Sequence, residues 1–74
     1  MESIVHFVIY FSPNDFPKKF VIRRWFIKNR KVLPDLNVFT IGDSLREVRK
    51  RLPRDLTCIA RDISDDPSIV ETWI

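Results

Sequence analysis

Two strongly apolar runs in the first third of the chain constrain the fold more than any other feature. Residues 4–11 read IVHFVIYF, broken only by His6, and residues 19–28 read KFVIRRWFIK. β-Branched and aromatic residues at this density favour strands, and the near absence of alternation in the first run predicts a strand covered on both faces. The turn-forming residues at 12–17 therefore predict an antiparallel hairpin with a long loop.

The next local signal predicts a short helix. Ser44 has the character of an N-cap, and Glu47 follows three residues later as in a capping box. One apolar stripe follows at helical spacing and consists of Leu45, Val48 and Leu52. Pro53 ends the pattern, so the sequence predicts a helix of about nine residues that depends on packing for its stability.

The remaining segments complete an α+β pattern in one domain over residues 1–74. Residues 56–61 and 68–74 have strand composition, and the residues between them have turn composition. We expect a four-stranded antiparallel sheet with one helix packed on one face, in the order β-β-α-β-β. An additional short strand at residues 38–41 remains an open alternative.

The predicted strands are apolar on both sides, although one short helix covers only part of one face. An uncovered apolar face of this kind usually marks an interface. We therefore expect a small non-catalytic protein-interaction or regulatory domain that pairs with itself, or docks on another protein, through a sheet face or edge. The aromatic residues expected to anchor that interface are Trp25, Phe26 and Trp73.

The charge distribution supports an alternative function. The net charge is only +3, but residues 16–54 hold twelve of the thirteen basic residues. A nucleic-acid-binding module for single-stranded RNA or DNA would use Arg23, Arg24, Lys28, Arg30 and Lys31 around the aromatic pair at 25–26. The competing interpretation pairs the two arginines with acids of the last third, for which Asp62, Asp65 and Glu71 are available. The basic residues of the helix are expected to form a solvated face.

Other chemistry has little support in the sequence. A single glycine excludes Gly-rich phosphate loops, and a single cysteine excludes multi-cysteine zinc sites. We interpret His6 as a packed structural histidine, Cys58 as a small buried hydrophobic residue and the acids at 62–66 as a turn. We thus expect no enzyme, cofactor, metal or small-molecule substrate. A cytoplasmic chain without a signal peptide or a membrane partner is also expected.

Overall fold

The structure is one antiparallel sheet with a short helix on one face. The computed structural model describes residues 4–61 and 66–74. The strands are β1 (Ile4–Phe11), β2 (Phe20–Lys28), β3 (Lys31–Gly42), β4 (Cys58–Ala60) and β5 (Ile69–Trp73), and the helix α1 is Leu45–Arg49. The five strands lie in the order β3-β2-β1-β5-β4, so β1 is central and β3 and β4 are the edges.

The expectation of a four-stranded sheet in the order β-β-α-β-β is wrong. Residues 31–42 form a strand of 12 residues, which extends well beyond the short strand left open at 38–41. A tight turn at Asn29 and Arg30 joins this strand to β2, and both residues have positive φ, at 50° and 65°. Two such residues form the turn type that matches the twist of a two-residue hairpin. The described elements therefore follow the order β-β-β-α-β-β.

The middle of β3 accommodates residues that are usually unfavourable in a strand. Its register with β2 shifts on both sides of Arg23, which leaves residues 35–37 bulged out of the ladder. Pro34 lies just before this bulge, on a strand whose outer side has no neighbour in the sheet. Proline and bulges are tolerated at sheet edges because no second ladder has to form there.

The predicted start of the helix is confirmed, but the helix is shorter than predicted. The Ser44 hydroxyl accepts the Glu47 N–H at 3.1 Å, which satisfies one of the free amide groups of the first turn. Regular helix covers only Leu45–Arg49, and the chain then continues in turns as far as Leu52. The helix therefore ends before Pro53, which was predicted to stop it, is reached.

The core lies between α1 and the sheet. It consists of Phe7, Ile9, Ile22 and Val48. Leu45 and Leu52 pack against this cluster, which confirms the predicted apolar stripe of the helix. Gly42 lies directly beneath the helix, where a Cβ atom would come within 2.9 Å of Val48 Cγ1. The only glycine of the chain thus permits the close approach of the helix to β3.

The two sheet faces differ in their cover. Ile9 and Ile22 are paired in register and point to α1, so this side of the sheet is called the helix face. Because side chains alternate along a strand, His6 and Trp25 point to the opposite side, called the far face. Among the described residues α1 is the only helix, and it leaves the far face without a helical layer.

Candidate interaction surfaces

The far face carries an open apolar area close to the start of β1. This open patch consists of Ile4, His6, Trp25, Ile27 and Ile59, placed on one face by the registers of β1 with β2 and β5 and of β5 with β4. Ile4 is 58% exposed at the start of the central strand β1, and Ile59 is 45% exposed on the edge strand β4. None of the five residues carries a formal charge when His6 is neutral.

The other end of the far face is partly covered. Arg23 forms an ion pair with Asp15, which belongs to the loop between β1 and β2. The Trp25 indole N–H donates to the Tyr10 hydroxyl at 3.1 Å, and this contact passes across the position of Val8, which is buried. The covered end therefore leaves the open patch as a distinct apolar surface.

The three predicted interface aromatics do not share one surface. Trp25 lies on the far face within the open patch. Phe26 lies on the helix face, where the Arg24 guanidinium lies 5.5 Å from its ring centroid. Trp73 packs against the core and donates its indole N–H to Glu71 at 2.9 Å. Only Trp25 of the three can therefore anchor a partner on the far face.

Arg23 and Arg24 point to opposite faces of the sheet, and each has an acidic partner. The Arg24 guanidinium donates to Asp35 Oδ2 at 3.0 Å and 2.5 Å, whereas Arg23 pairs with Asp15. Hydrogen bonds from the Asn37 N–H and from Arg24 hold the pKa of Asp35 below its ordinary value. The acids that neutralise the arginines are thus neighbours on β3 and in the β1–β2 loop, and Glu71 of the expected set binds another arginine.

The other three predicted nucleic-acid-binding residues form a separate cluster. Lys28, Arg30 and Lys31 surround the β2–β3 turn and are exposed, and this cluster is called the basic tip. None of the three forms an ion pair within residues 4–61 and 66–74. The five predicted residues consequently occupy both faces and one end of the sheet rather than one continuous surface.

A buried polar network that the sequence patterns did not predict lies beside α1. Glu71 is the buried acid of β5, and Arg49 donates to its two carboxylate oxygens at 2.6 Å and 2.7 Å. The Trp73 indole and, at 3.6 Å, the Cys58 thiol point at the same carboxylate. Arg49 therefore does not belong to a purely solvated helix face. An acid within an apolar strand was the available signal, since such a group needs a buried partner.

The interpretation of Cys58 as a buried hydrophobic residue is wrong. Cys58 is exposed, because β4 is a strand of three residues at the edge of the sheet. Desolvation of its thiol, followed by the negative charge of Glu71, raises the pKa of Cys58. The thiol is therefore protonated at neutral pH and is a poor nucleophile.

Other groups offer no assembled catalytic or metal centre in the part of the chain that the structure describes. His6 is half-buried on β1, and residues 4–61 and 66–74 contain no group of three potential His, Cys, Asp or Glu ligands. Asp66 accepts the Ser68 N–H at 2.9 Å, which confirms the predicted turn at that residue and lowers the pKa of Asp66. Asp62 and Asp65 lie outside the described residues.

A polar pocket of about 300 Å³ lies beside the covered end of the far face. It is lined by Tyr10, Ser12, Arg23 and Ser68, among others. Arg23 is already neutralised by Asp15, and the Ser12 hydroxyl accepts the Lys18 N–H at 3.0 Å. These internal bonds leave few polar groups directed at a ligand.

Comparison with protein-family models, with curated proteins and with solved structures found no match for this chain. No helix within residues 4–61 and 66–74 has the length and apolar composition that crossing a bilayer requires.

Proposed function

We propose that the chain is a small non-catalytic binding domain that forms a homodimer through the open patch of its far face. The observation that supports this proposal is the open patch itself. Ile4 on β1 and Ile59 on β4 remain exposed on this face, while Arg23, beside Trp25 on the same face, is neutralised within the subunit by Asp15. We also propose that the chain acts in the cytoplasm, as expected from the sequence.

A second copy of the chain is the partner that suits this surface. In a two-fold dimer the same patch meets itself, so an interface with a strong charge of one sign would repel its copy. With His6 neutral the open patch has no formal charge, and contact between two such patches removes apolar area from water on both subunits. A strongly charged partner would find no group of opposite charge on this patch.

The size of the patch sets the expected affinity. Five strands about 4.8 Å apart give a width of about 20 Å, and the uncovered length is about four residues, or about 13 Å. This area is smaller than the roughly 800 Å² per partner that standard interfaces bury. We therefore expect a weak dimer that dissociates in the micromolar range or above.

Sedimentation velocity over a concentration series tests the proposal. The wild-type chain is expected to shift from monomer to dimer as its concentration rises. Ile59→Lys should weaken the dimer by at least about 100-fold, because two-fold symmetry loses the buried isoleucine twice. Ile4→Lys should act in the same direction.

Leu33→Lys is the matched control. Leu33 is 51% exposed, close to the value for Ile4, but it points to the helix face on the edge strand β3. It should leave the dimerisation constant unchanged. A wild-type chain that stays monomeric at every concentration, or a dimer that both patch substitutions leave intact, would show the proposal to be wrong.

A further inference from the structure

Three aliphatic side chains are exposed next to the basic tip. They are Val32, Leu33 and Leu36 on the edge strand β3, where Leu33 lies on the helix face opposite Phe26 and Val32 lies on the far face opposite Ile27. Leu36 is 91% exposed and lies in the bulge, where the Asn37 N–H donates to the Asp35 carboxylate. A single exposed leucine is ordinary, whereas several exposed aliphatic residues beside a charged cluster usually mark a binding surface.

The cations beside these side chains differ from the arginines in the middle of β2. Arg23 and Arg24 are neutralised by Asp15 and Asp35, but the three cations of the basic tip have no acidic partner among the described residues. Positive charge and exposed aliphatic surface thus occur together at one end of the edge strand. This combination attracts a partner that offers negative charge above an apolar layer.

We propose that the basic tip and the exposed aliphatic residues of β3 dock on an anionic lipid surface. Anionic headgroups would bind Lys28, Arg30 and Lys31, while Leu36 and Leu33 would enter the boundary between headgroups and acyl chains. Such docking is peripheral and shallow, because the free backbone groups of an edge strand are costly inside hydrocarbon. The proposal departs from the expectation of no membrane partner and does not depend on dimerisation.

Nucleic acid fits this surface less well. Single-stranded nucleic acid binds through cations and aromatic rings on which bases stack. Of the nearest aromatic residues, Phe26 is covered by Arg24, and Trp25 lies on the far face, the side of the sheet opposite to Leu33. The side chains exposed beside the basic tip are aliphatic and offer no stacking platform.

A protein partner also fits less well. Residues that dominate protein–protein binding energy are enriched in tryptophan, tyrosine and arginine, whereas leucine and valine are under-represented. Lysine is likewise depleted at protein interfaces. Two of the three cations here are lysines, and the exposed apolar residues are one valine and two leucines.

Vesicle co-sedimentation of the full chain tests the proposal. Wild-type protein should bind phosphatidylcholine vesicles that contain about one third phosphatidylserine, lose affinity as salt rises, and ignore pure phosphatidylcholine vesicles. Lys31→Glu should weaken binding by at least about fivefold, the effect of one cation near an anionic surface. Leu36→Ser should weaken it by about tenfold through lost apolar insertion.

Both substitutions have matched controls at the opposite end of the sheet. Lys18→Glu makes the same charge change at an exposed residue of the β1–β2 loop, and Ile41→Ser makes a similar polar change near the end of β3. Both controls should bind vesicles like wild type. Because Leu36 is almost fully exposed, its serine variant should unfold at the wild-type temperature, which thermal circular dichroism checks.

Three results would overturn the proposal. The first is no binding to the anionic vesicles at low salt. The second is binding that Lys31→Glu and Leu36→Ser reduce no more than their controls do. The third is tighter binding to a mixed single-stranded oligonucleotide that Lys31→Glu abolishes and Leu36→Ser leaves unchanged, which would make the basic tip a nucleic-acid surface.

Discussion

Arg49 and Glu71 lie 22 residues apart in the chain and form a two-point ion pair between α1 and β5. Arg49 Nε and one of its terminal Nη atoms donate to separate carboxylate oxygens of Glu71. The Trp73 indole donates to the same carboxylate. This arrangement attaches the helix, which at 5 residues is too short to be stable alone, to β5, the strand between the central strand β1 and the edge strand β4.

Replacing Glu71 with glutamine should destabilise the domain. The charge that binds Arg49 is lost, and the amide cannot accept all the donors that converge on the carboxylate. We expect the free energy of unfolding to fall by about 1–3 kcal/mol in urea titrations, as is typical for hydrogen bonds to a buried charged group. The control is Asp43→Asn, which breaks the exposed Lys19–Asp43 pair and should cost less than about 1 kcal/mol. Equal effects of the two substitutions would contradict the buried role of Glu71.

The same network predicts how stability depends on pH. The Arg49 hydrogen bond, supported by the Trp73 indole, holds the pKa of Glu71 below its ordinary value of 4.5, although burial opposes this. A lowered folded-state pKa contributes stability that is complete above about pH 4.5 and is lost as the pH falls through the folded-state value. Urea midpoints of wild type and Glu71→Gln should therefore differ at pH 7 and converge in acid. A gap that widens in acid would have the wrong sign.

Gly42→Ala should destabilise the packing of the helix on β3. The added Cβ would lie 2.9 Å from Val48 Cγ1 and 3.3 Å from Glu47 Cβ. Val48 is completely buried in the core, so we expect a loss of about 1–3 kcal/mol in the free energy of unfolding. The double variant Gly42→Ala/Val48→Ala should lose less than the two single changes added together. Strict additivity would show that the two sites do not collide.

Cys58 should react slowly with alkylating reagents at neutral pH despite its exposure. Desolvation and the adjacent Glu71 carboxylate raise the pKa of its thiol, so little thiolate is present near pH 7. The rate of iodoacetamide labelling should increase at a higher pH for Cys58 than for an unstructured peptide that contains cysteine. Glu71→Gln should move the profile to lower pH, because it removes the nearby negative charge. A profile unchanged by this substitution would exclude the influence of Glu71.

Local patterns in the sequence predicted several elements correctly. The apolar runs became β1 and β2, the Ser44 cap starts α1, and the helical stripe packs on the core. These features depend on residues close together in the chain, where propensity, side-chain period and capping act directly. The length of β3 was missed because its proline and polar residues resemble a loop, and they are tolerated only because the strand lies at an edge.

The sequence did not predict which residues share a surface. The basic residues between Arg23 and Lys31 form one cluster in the chain, yet the alternation of strand side chains and the position of the hairpin turn divide them among two faces and a tip. Which acids neutralise Arg23 and Arg24 depended on loop placement and on the β3 bulge. The spacing of residues in the sequence predicts neither the position of that loop nor the bulge.

The sequence by itself determined that this chain forms strands, where its helix begins and which helical residues face inward. Those properties follow from the conformational preferences of neighbouring residues. Only the tertiary structure decided that β1 lies at the centre, that Glu71 is neutralised by Arg49, and that Trp25 belongs to an open face while Phe26 and Trp73 do not. The order of the strands and the register of their pairing decide these contacts, because they bring together residues that are distant in the chain.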